Sequence, residues 1–506
     1  MIDFACYVGR EQTGVKHFIL SEYLQRFGMI IGKWASAITY VDCFSGPWKQ
    51  TSEQLQDTSF FIALQELRKA RDVVQQTFGR QLKLRAFFVE KEAEPYAQLR
   101  AFGEREGADV EIQTRNSPLE DCIADIVSFV RAGGHKNFPF IFIDPTGWTG
   151  FGLNAIEPML KLKPAEVLIN FMTQHVRRLV EHPEEGQRGT FEALYGAERA
   201  NRVLARIKGK VEMDREDILV EEYMAAVAET GGFDHTSAAI VLNPKMDRTH
   251  FHLVYGTRNL KGLEVFKGAE QRAMEAMQEA RADARARHAD RRTGQSAFEF
   301  RNDVPRHDEH YQQLRHRYTE SSRARFLALV RSRRRVEYEA AYSAALTRPL
   351  TFPTDLRGWV ADLRNTGAIG VEGLTGSERV PKLGEGHFLT WLCATTRDQL
   401  TTIVETRPGT GRTEGSSPGS PGGARAPEDL IADLQKEVEL HYGQDAVFEL
   451  VFARNSDADA QHQVNVIANG RIVECSGLCA SEEEAVRDTI FLMRSVAAKL
   501  LAPEVF

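Results

Sequence analysis

Four apolar runs in the first third of the chain each end on a residue able to do polar chemistry. The first, Tyr40-Val41-Asp42-Cys43-Phe44-Ser45-Gly46-Pro47-Trp48, passes from an apolar strand through Asp42 into a bend made by Gly46 and Pro47. A small bent loop after a first strand lets backbone amides approach a bound cofactor, and a carboxylate there can hydrogen-bond or balance its positive groups. The second, Phe87-Phe88-Val89-Glu90, puts a carboxylate at a strand tip, where one carboxylate can accept from both hydroxyls of a ribose. The third, Thr114-Arg115-Asn116-Ser117, offers Asn116 as a short polar reader of an adenine edge. The fourth, Ile141-Phe142-Ile143-Asp144-Pro145-Thr146-Gly147-Trp148, sets Asp144 beside the crevice where open α/β sheets bind ligands. Pro145 fixes the turn there, and Trp148 can stack on a planar group. Each segment is also an ordinary strand-to-helix turn. Their weight lies in falling on four successive strand ends.

A parallel sheet is needed to bring these residues to one edge. The runs Ala37 to Phe44, Leu84 to Glu90, Val110 to Thr114, Phe138 to Asp144 and Glu166 to Phe171 are rich in Ile, Val or Phe and bounded by polar or turn residues. The stretches between them are long enough for crossover helices, so the pattern is doubly wound α/β. Helical sequence from Val176 to Glu229 follows, then strand-like runs at Ser237 to Asn243 and His250 to Thr257, which complete a seven-stranded sheet. Leu263 to Arg292 reads as one long helix, polar nearly all round and therefore either solvated or packed by a partner.

This order resembles class I S-adenosylmethionine-dependent methyltransferases with their Rossmann-type sheet. More closely, residues 10–270 resemble the three-Cys-motif partner (TcmP) family, with a looser resemblance to about residue 400. The matching stretches are Lys16-His17-Phe18-Ile19-Leu20 with Tyr23-Leu24, the Tyr40-to-Pro47 loop, Phe142 to Trp148, Glu166 to Met172, and Tyr255-Gly256-Thr257-Arg258 with Lys261-Gly262-Leu263. The resemblance implies S-adenosylmethionine as cofactor, held by Lys16, Asp42, Phe44, Gly46, Pro47, Glu90 and Asn116. It places Asp144, Pro145 and Trp148 at the methyl group and its target, and implies a three-Cys-motif protein, similar to radical S-adenosylmethionine enzymes, as partner. Two departures stand out. Trp48 occupies a position where a further loop glycine is common. Thr146 and Gly147 replace the second Pro and the aromatic of the Asp-Pro-Pro-aromatic motif of amino-methyltransferases, which puts an amino-nitrogen target in doubt, although Asp144 can still accept from an amine. His17 and Asp144 are the candidate general bases.

At roughly 100–200 residues per domain, 506 residues suggest two to four domains. The expected division is a Rossmann methyltransferase-like domain (1–265), a helical and winged-helix-like region (266–405), a flexible Gly/Ser/Pro linker (406–427) and a C-terminal α-β-β-β-α module (428–506). A net charge of −7 excludes a global basic signature, so any DNA or RNA must be held by local patches. The basic helix carrying Arg323, Arg325, Arg331 and Arg334 is the candidate, since it can contact phosphates. The C-terminal module resembles a double-stranded-RNA-binding domain in order. However, its last helix opens Ser481-Glu482-Glu483-Glu484, where that family needs lysines, so protein contact is the expected use. Six scattered cysteines, no long apolar span and no signal-like N-terminus point to a reducing cytoplasm. Cys475 and Cys479 lack the companions of a zinc site. The expected function is methyl transfer to nucleic acid within a multi-protein system. The alternatives are a non-catalytic partner that keeps the fold, or methylation of a protein or small molecule.

Overall fold

The computed structural model describes residues 3–46, 55–147, 149–181, 188–293, 308–375, 378, 380–392, 405–408, 447–453, 461–468 and 471–475. They belong to two compact units, Met1–Arg323 with Tyr342–Leu356, and Ala324–Ala341 with Arg357–Phe506.

In the first unit the chain alternates α1 (Glu11–Ile31), β1 (Ala37–Asp42), α2 (Ser59–Phe78), β2 (Lys83–Val89), α3 (Ala93–Glu106), β3 (Glu111–Arg115), α4 (Leu119–Ala132), β4 (Asn137–Ile143), α5 (Leu153–Leu160) and β5 (Glu166–Phe171). Four helices follow, α6 (Thr173–Glu181), α7 (Arg188–Tyr195), α8 (Ala197–Ile207) and α9 (Glu212–Gly231), then β6 (His235–Leu242), β7 (Thr249–Thr257), α10 (Leu260–Thr293) and α11 (Glu309–Arg333), of which the residues up to Arg323 belong to this unit. The seven strands form one sheet in the order β3-β2-β1-β4-β5-β7-β6. The first five are parallel, and β7 runs antiparallel to both β5 and β6. The fold is therefore the doubly wound, Rossmann-like α/β sheet the sequence leads one to expect. Chain order reverses between β1 and β4, and the crevice at the carboxyl ends of those two strands is where such sheets take ligands.

Both faces of the sheet are covered, which is why its strands read as unbroken apolar runs. Ile38, Tyr40, Phe88, Phe140 and Phe142 pack with Tyr23, Phe27, Leu64, Leu67 and Phe266. Their neighbours along the strands, Val41, Phe87, Val89, Ile141, Ile143 and Ile169, pack with Ile126, Ile156, Leu219 and Tyr223. Helix α1 lies close against α2, because Gly28 has no side chain. A Cβ added there would stand 2.6 Å from the Cβ of Ala70.

Helix α10 corrects one expectation. Its sequence is polar nearly all round, yet Leu263, Phe266, Ala269, Ala273, Met274 and Met277 are core residues, and Lys267, Glu270 and Arg281 are buried with them. The buried charges are matched internally. Lys267 pairs with Glu270 and donates to the Arg348 carbonyl at 2.8 Å, while Glu270 accepts from the Leu350 amide at 2.8 Å. Arg281 donates to Asp308 at 2.5 Å and to Asp247 at 2.9 Å. One face of the helix is thus core, with its buried charges partnered inside the protein, while Glu275, Glu279 and Asp283 stand exposed on the other. The first unit accordingly extends well beyond residue 265.

In chain order β8 (Arg335–Glu337), α12 (Tyr338–Ala345), α13 (Pro353–Asn365), β9 (Ile369–Glu372) and β10 (Phe388–Trp391) come next. Within the second unit β8, β10 and β9 make a three-stranded antiparallel sheet with β10 in the middle. Arg335 lies on the Phe388 ring at 3.5 Å and grips Glu372 through Nε at 3.0 Å and Nη2 at 2.8 Å. A further antiparallel sheet has the order β11 (Glu405–Pro408), β12 (Val447–Ala453), β13 (Gln461–Ala468) and β14 (Arg471–Cys475). Arg407 and Pro408, assigned from sequence to the linker, pair instead with Leu450 and Glu449. The remainder of the linker and the two expected C-terminal helices lie outside the described residues. Among the described residues no helix is long and apolar enough to cross a membrane, and no cluster of His, Cys, Asp and Glu could hold a metal.

Candidate functional site

The carboxyl ends of β1, β2, β3 and β4 bring four of the expected residues to one edge of the sheet. Asp42 ends β1 and is fully buried. Its carboxylate accepts from the Ser59 hydroxyl at 2.6 Å, the Tyr40 hydroxyl at 3.1 Å and the Phe44 amide at 3.3 Å. Ser59 is the first residue of α2, so Asp42 ties the loop after β1 to that helix. Burial, together with the nearby charge of Asp144, pushes the Asp42 carboxyl up to about 6, against the lowering effect of these hydrogen bonds. Asp42 thus shapes the loop from inside. The loop is pinned further by Cys43 N donating to Phe142 O (3.0 Å), Ser45 N to Val89 O (2.8 Å) and Ser45 Oγ to Asp42 O (2.8 Å). Phe44 and Gly46 are half-buried along it, and Pro47 lies outside the described residues.

Glu90 follows β2 and is 4% exposed. Its Oε1 accepts from the Glu92 amide at 2.7 Å. Asn116, after β3, donates its side-chain amide to the carbonyls of Glu90 (2.9 Å) and Lys91 (3.1 Å). Asn116 therefore straps the Glu90 turn to the end of β3. Asn116 itself is exposed at the rim.

Asp144 follows β4 on the other side of the switch point. It is ion-paired with Lys16 of α1 and accepts from Asn170 Nδ2 of β5 at 2.8 Å. The side chains of Lys16 and Asp144 keep 10% and 14% of their surface exposed. Lys16 also lies 5.9 Å from the centre of the Phe251 ring on β7. Asn170 Oδ1, buried beside this pair, has no hydrogen-bond partner among the described residues. A buried carbonyl left this way costs about 1–3 kcal/mol until something donates to it. Pro145 is buried in the turn, and Trp148 lies outside the described residues.

His17 faces away from the base role considered for it. It is buried and its Nδ1 is engaged with the Tyr7 hydroxyl at 3.0 Å, and burial together with Lys16 and Arg10 holds its pKa well below the usual value. His250, at the start of β7, is lowered to about 4 by burial and by the charges of His175, Arg248 and Lys16. Asn170, Phe251 and His250 were missed from sequence. A polar Asn inside the otherwise apolar run Glu166–Phe171 was the signal that could have pointed to the first.

The basic residues divide. Arg323 and Arg331 are half-buried, and Arg331 stacks on Trp391 at 4.6 Å. Arg325 and Arg334 are exposed. Arg334, just past α11, holds a left-handed backbone with φ 59°.

The fold is that of a seven-stranded α/β protein, and this edge lies at the switch between β1 and β4, where open α/β sheets take ligands. No family model matches the chain, and no curated protein matches it. Among solved structures, the crystal structure of cofactor-bound Rv0187 from MTB is similar at 12% identity, covering 47% of this chain and 79% of that one, with a TM-score of 0.25. A likeness that slight carries no argument about the site.

Proposed function

We propose that this chain is an S-adenosylmethionine-dependent methyltransferase acting on nucleic acid. The observation that carries the reading is the convergence of the β1 loop, Glu90 and Asn116 on one side of the switch point and of Lys16 and Asp144 on the other. The residues fit an adenosyl cofactor. A buried carboxylate at the tip of β2 suits a ribose diol, and the loop of residues 43–46 is pinned at the same edge of the sheet by Asp42 and Ser45. Glu90, the Phe44–Gly46 backbone and Asn116 would hold the cofactor, which supplies an electrophilic methyl group. Lys16 and Asp144 would orient the acceptor, and positioning of this kind supplies much of the acceleration in a group transfer.

Nucleic acid is favoured over other acceptors by the exposed Arg325 and Arg334 and by the order of elements along the chain after α11. The end of α11, β8, α12, α13 and the β9–β10 ribbon follow one another in an order similar to that of a winged helix. A three-Cys-motif protein is the proposed partner. The antiparallel strands β12 to β14 stand where the three strands of the RNA-binding-like module are expected, with β11 as a fourth strand beside them, and we read this sheet as a protein-contact element. One observation favours a second reading, a scaffold that keeps the fold without the activity. The Asp42 carboxylate is occupied by three donors of the protein itself.

Incubation with methyl-labelled S-adenosylmethionine and separate RNA, DNA and protein pools separates the two. Label entering nucleic acid, and lost in Asp144→Ala, supports transfer. Label entering protein alone, or no pool at all, contradicts it.

A further inference from the structure

We infer that the acceptor half of the crevice is built for a hydroxyl group, and hence that the nucleic acid it takes is RNA, engaged through a ribose 2′-hydroxyl. The inference rests on the methyl-transfer reading for its chemistry but on the Lys16–Asp144–Asn170 arrangement for its specificity.

An amine acceptor wants a site rich in hydrogen-bond acceptors and free of cations. Here the Lys16 ammonium stands against the Asp144 carboxylate. Each Asp144 oxygen already receives a donor, one from the Lys16 ammonium and one from the Asn170 amide. The ammonium carries three N–H groups, and Asp144 needs only one of them. What the pair offers a newcomer is a donor and a carboxylate side by side, both still partly exposed. A hydroxyl uses both at once. Its oxygen accepts from Lys16 and its O–H donates to Asp144, and the neighbouring Asn170 carbonyl, so far without a partner, provides a second acceptor. In the transfer step a lone pair of the hydroxyl oxygen forms the new O–CH3 bond as the S–CH3 bond of the sulfonium donor breaks. The donor leaves as a neutral thioether, and the hydroxyl proton passes to the Asp144 carboxylate. Within a nucleic-acid strand, the sugar hydroxyl that meets this requirement is the 2′-hydroxyl, which DNA lacks. The Thr146-Gly147 replacement in the turn after Asp144 agrees with a site not shaped for an amino group.

The test is binding of matched 20-nucleotide RNA and DNA strands to the full chain, by fluorescence anisotropy, with and without S-adenosylhomocysteine. The wild type should bind RNA at least tenfold more tightly than DNA. Lys16→Met and Asp144→Asn should lose that preference, and Lys16→Arg, which keeps the donors, should retain most of it. Thermal melting shows whether each variant is folded. With methyl-labelled cofactor, nucleoside digestion should place the label on ribose. Equal affinity for the two strands, no binding of either, a preference that survives in both variants, or label on a base nitrogen overturns the inference. RNA preference that depends on Lys16 and Asp144, but without any cofactor binding, would sink the methyl-transfer reading and leave the hydroxyl subsite standing.

Discussion

Buried titratable side chains around the crevice make this protein sensitive to acid. His252 is fully buried beside the Thr173 hydroxyl at 2.7 Å, and burial lowers its pKa to about 3; His250 is lowered to about 4. An unfolded histidine takes its proton near 6.5, so the stability these groups contribute is present above that pH and lost as pH falls toward 3 to 4. Asp42 works in the other direction. With its pKa raised to about 6, its contribution is full below about 4 and is lost as pH rises through 6. Between pH 7 and 5 each fully buried histidine adds a slope of up to about 1.4 kcal/mol per pH unit, opposed by Asp42 and by the buried Glu166 and Glu270, whose carboxyls burial also pushes up. Urea midpoints at pH 7 and pH 5 test this. His252→Gln, which keeps a partner for Thr173, should lose less on acidification than the wild type, and parallel losses would refute the assignment. At this scale the sequence showed Asp42, Glu90, Asn116 and Asp144 because each interrupts an apolar run. It hid what they do, because a carboxylate that braces a loop and one that meets a ligand look alike in a string.

Helices explain both what was legible and what was not. Most strand runs were plain because they are buried on both faces; the edge strand β3 is not, yet β1 to β7 all fall within a few residues of the expected positions. Helix α10 misled because composition counts charges without pairing them. Its Lys267–Glu270 pair is wholly buried, and removing one member strands the other. Lys267→Met alone should cost about 3–5 kcal/mol in urea unfolding, while Lys267→Met with Glu270→Leu should cost markedly less. Equal losses would mean the pair itself is not what matters. The α1–α2 contact gives a second check. Alanine in place of Gly28 gains up to about 1 kcal/mol of helix propensity but meets the Ala70 methyl at 2.6 Å, too close for any side chain to yield. Gly28→Ala should therefore lower the melting temperature, and a rise would show that the helices separate easily.

For the molecule as a whole, a net charge of −7 means that nucleic acid must meet a local surface. Arg334 is the cleanest probe of one, being exposed where Arg331 is already stacked on Trp391. If Arg334 contacts one phosphate, Arg334→Ala should reduce the slope of log affinity against log salt by about 0.9 on a duplex and by about 0.7 on a single strand. An unchanged slope would remove this surface from consideration. The extent of the first unit was not legible, because it continues through α10 into α11 and buried ion pairs give no compositional signal. The most direct test of the site as a whole is calorimetric titration of the full chain with S-adenosylmethionine, alongside Glu90→Gln and Asp42→Ala. Glu90→Gln keeps the oxygen that receives the Glu92 amide, so it should fold normally yet bind at least tenfold more weakly, because a ribose diol needs the carboxylate. Asp42→Ala should lose binding together with stability, since it releases the loop. Wild-type binding in the micromolar range with that pattern would establish the crevice as a cofactor site. A folded wild type that binds nothing, or Glu90→Gln binding as tightly as wild type, would contradict it.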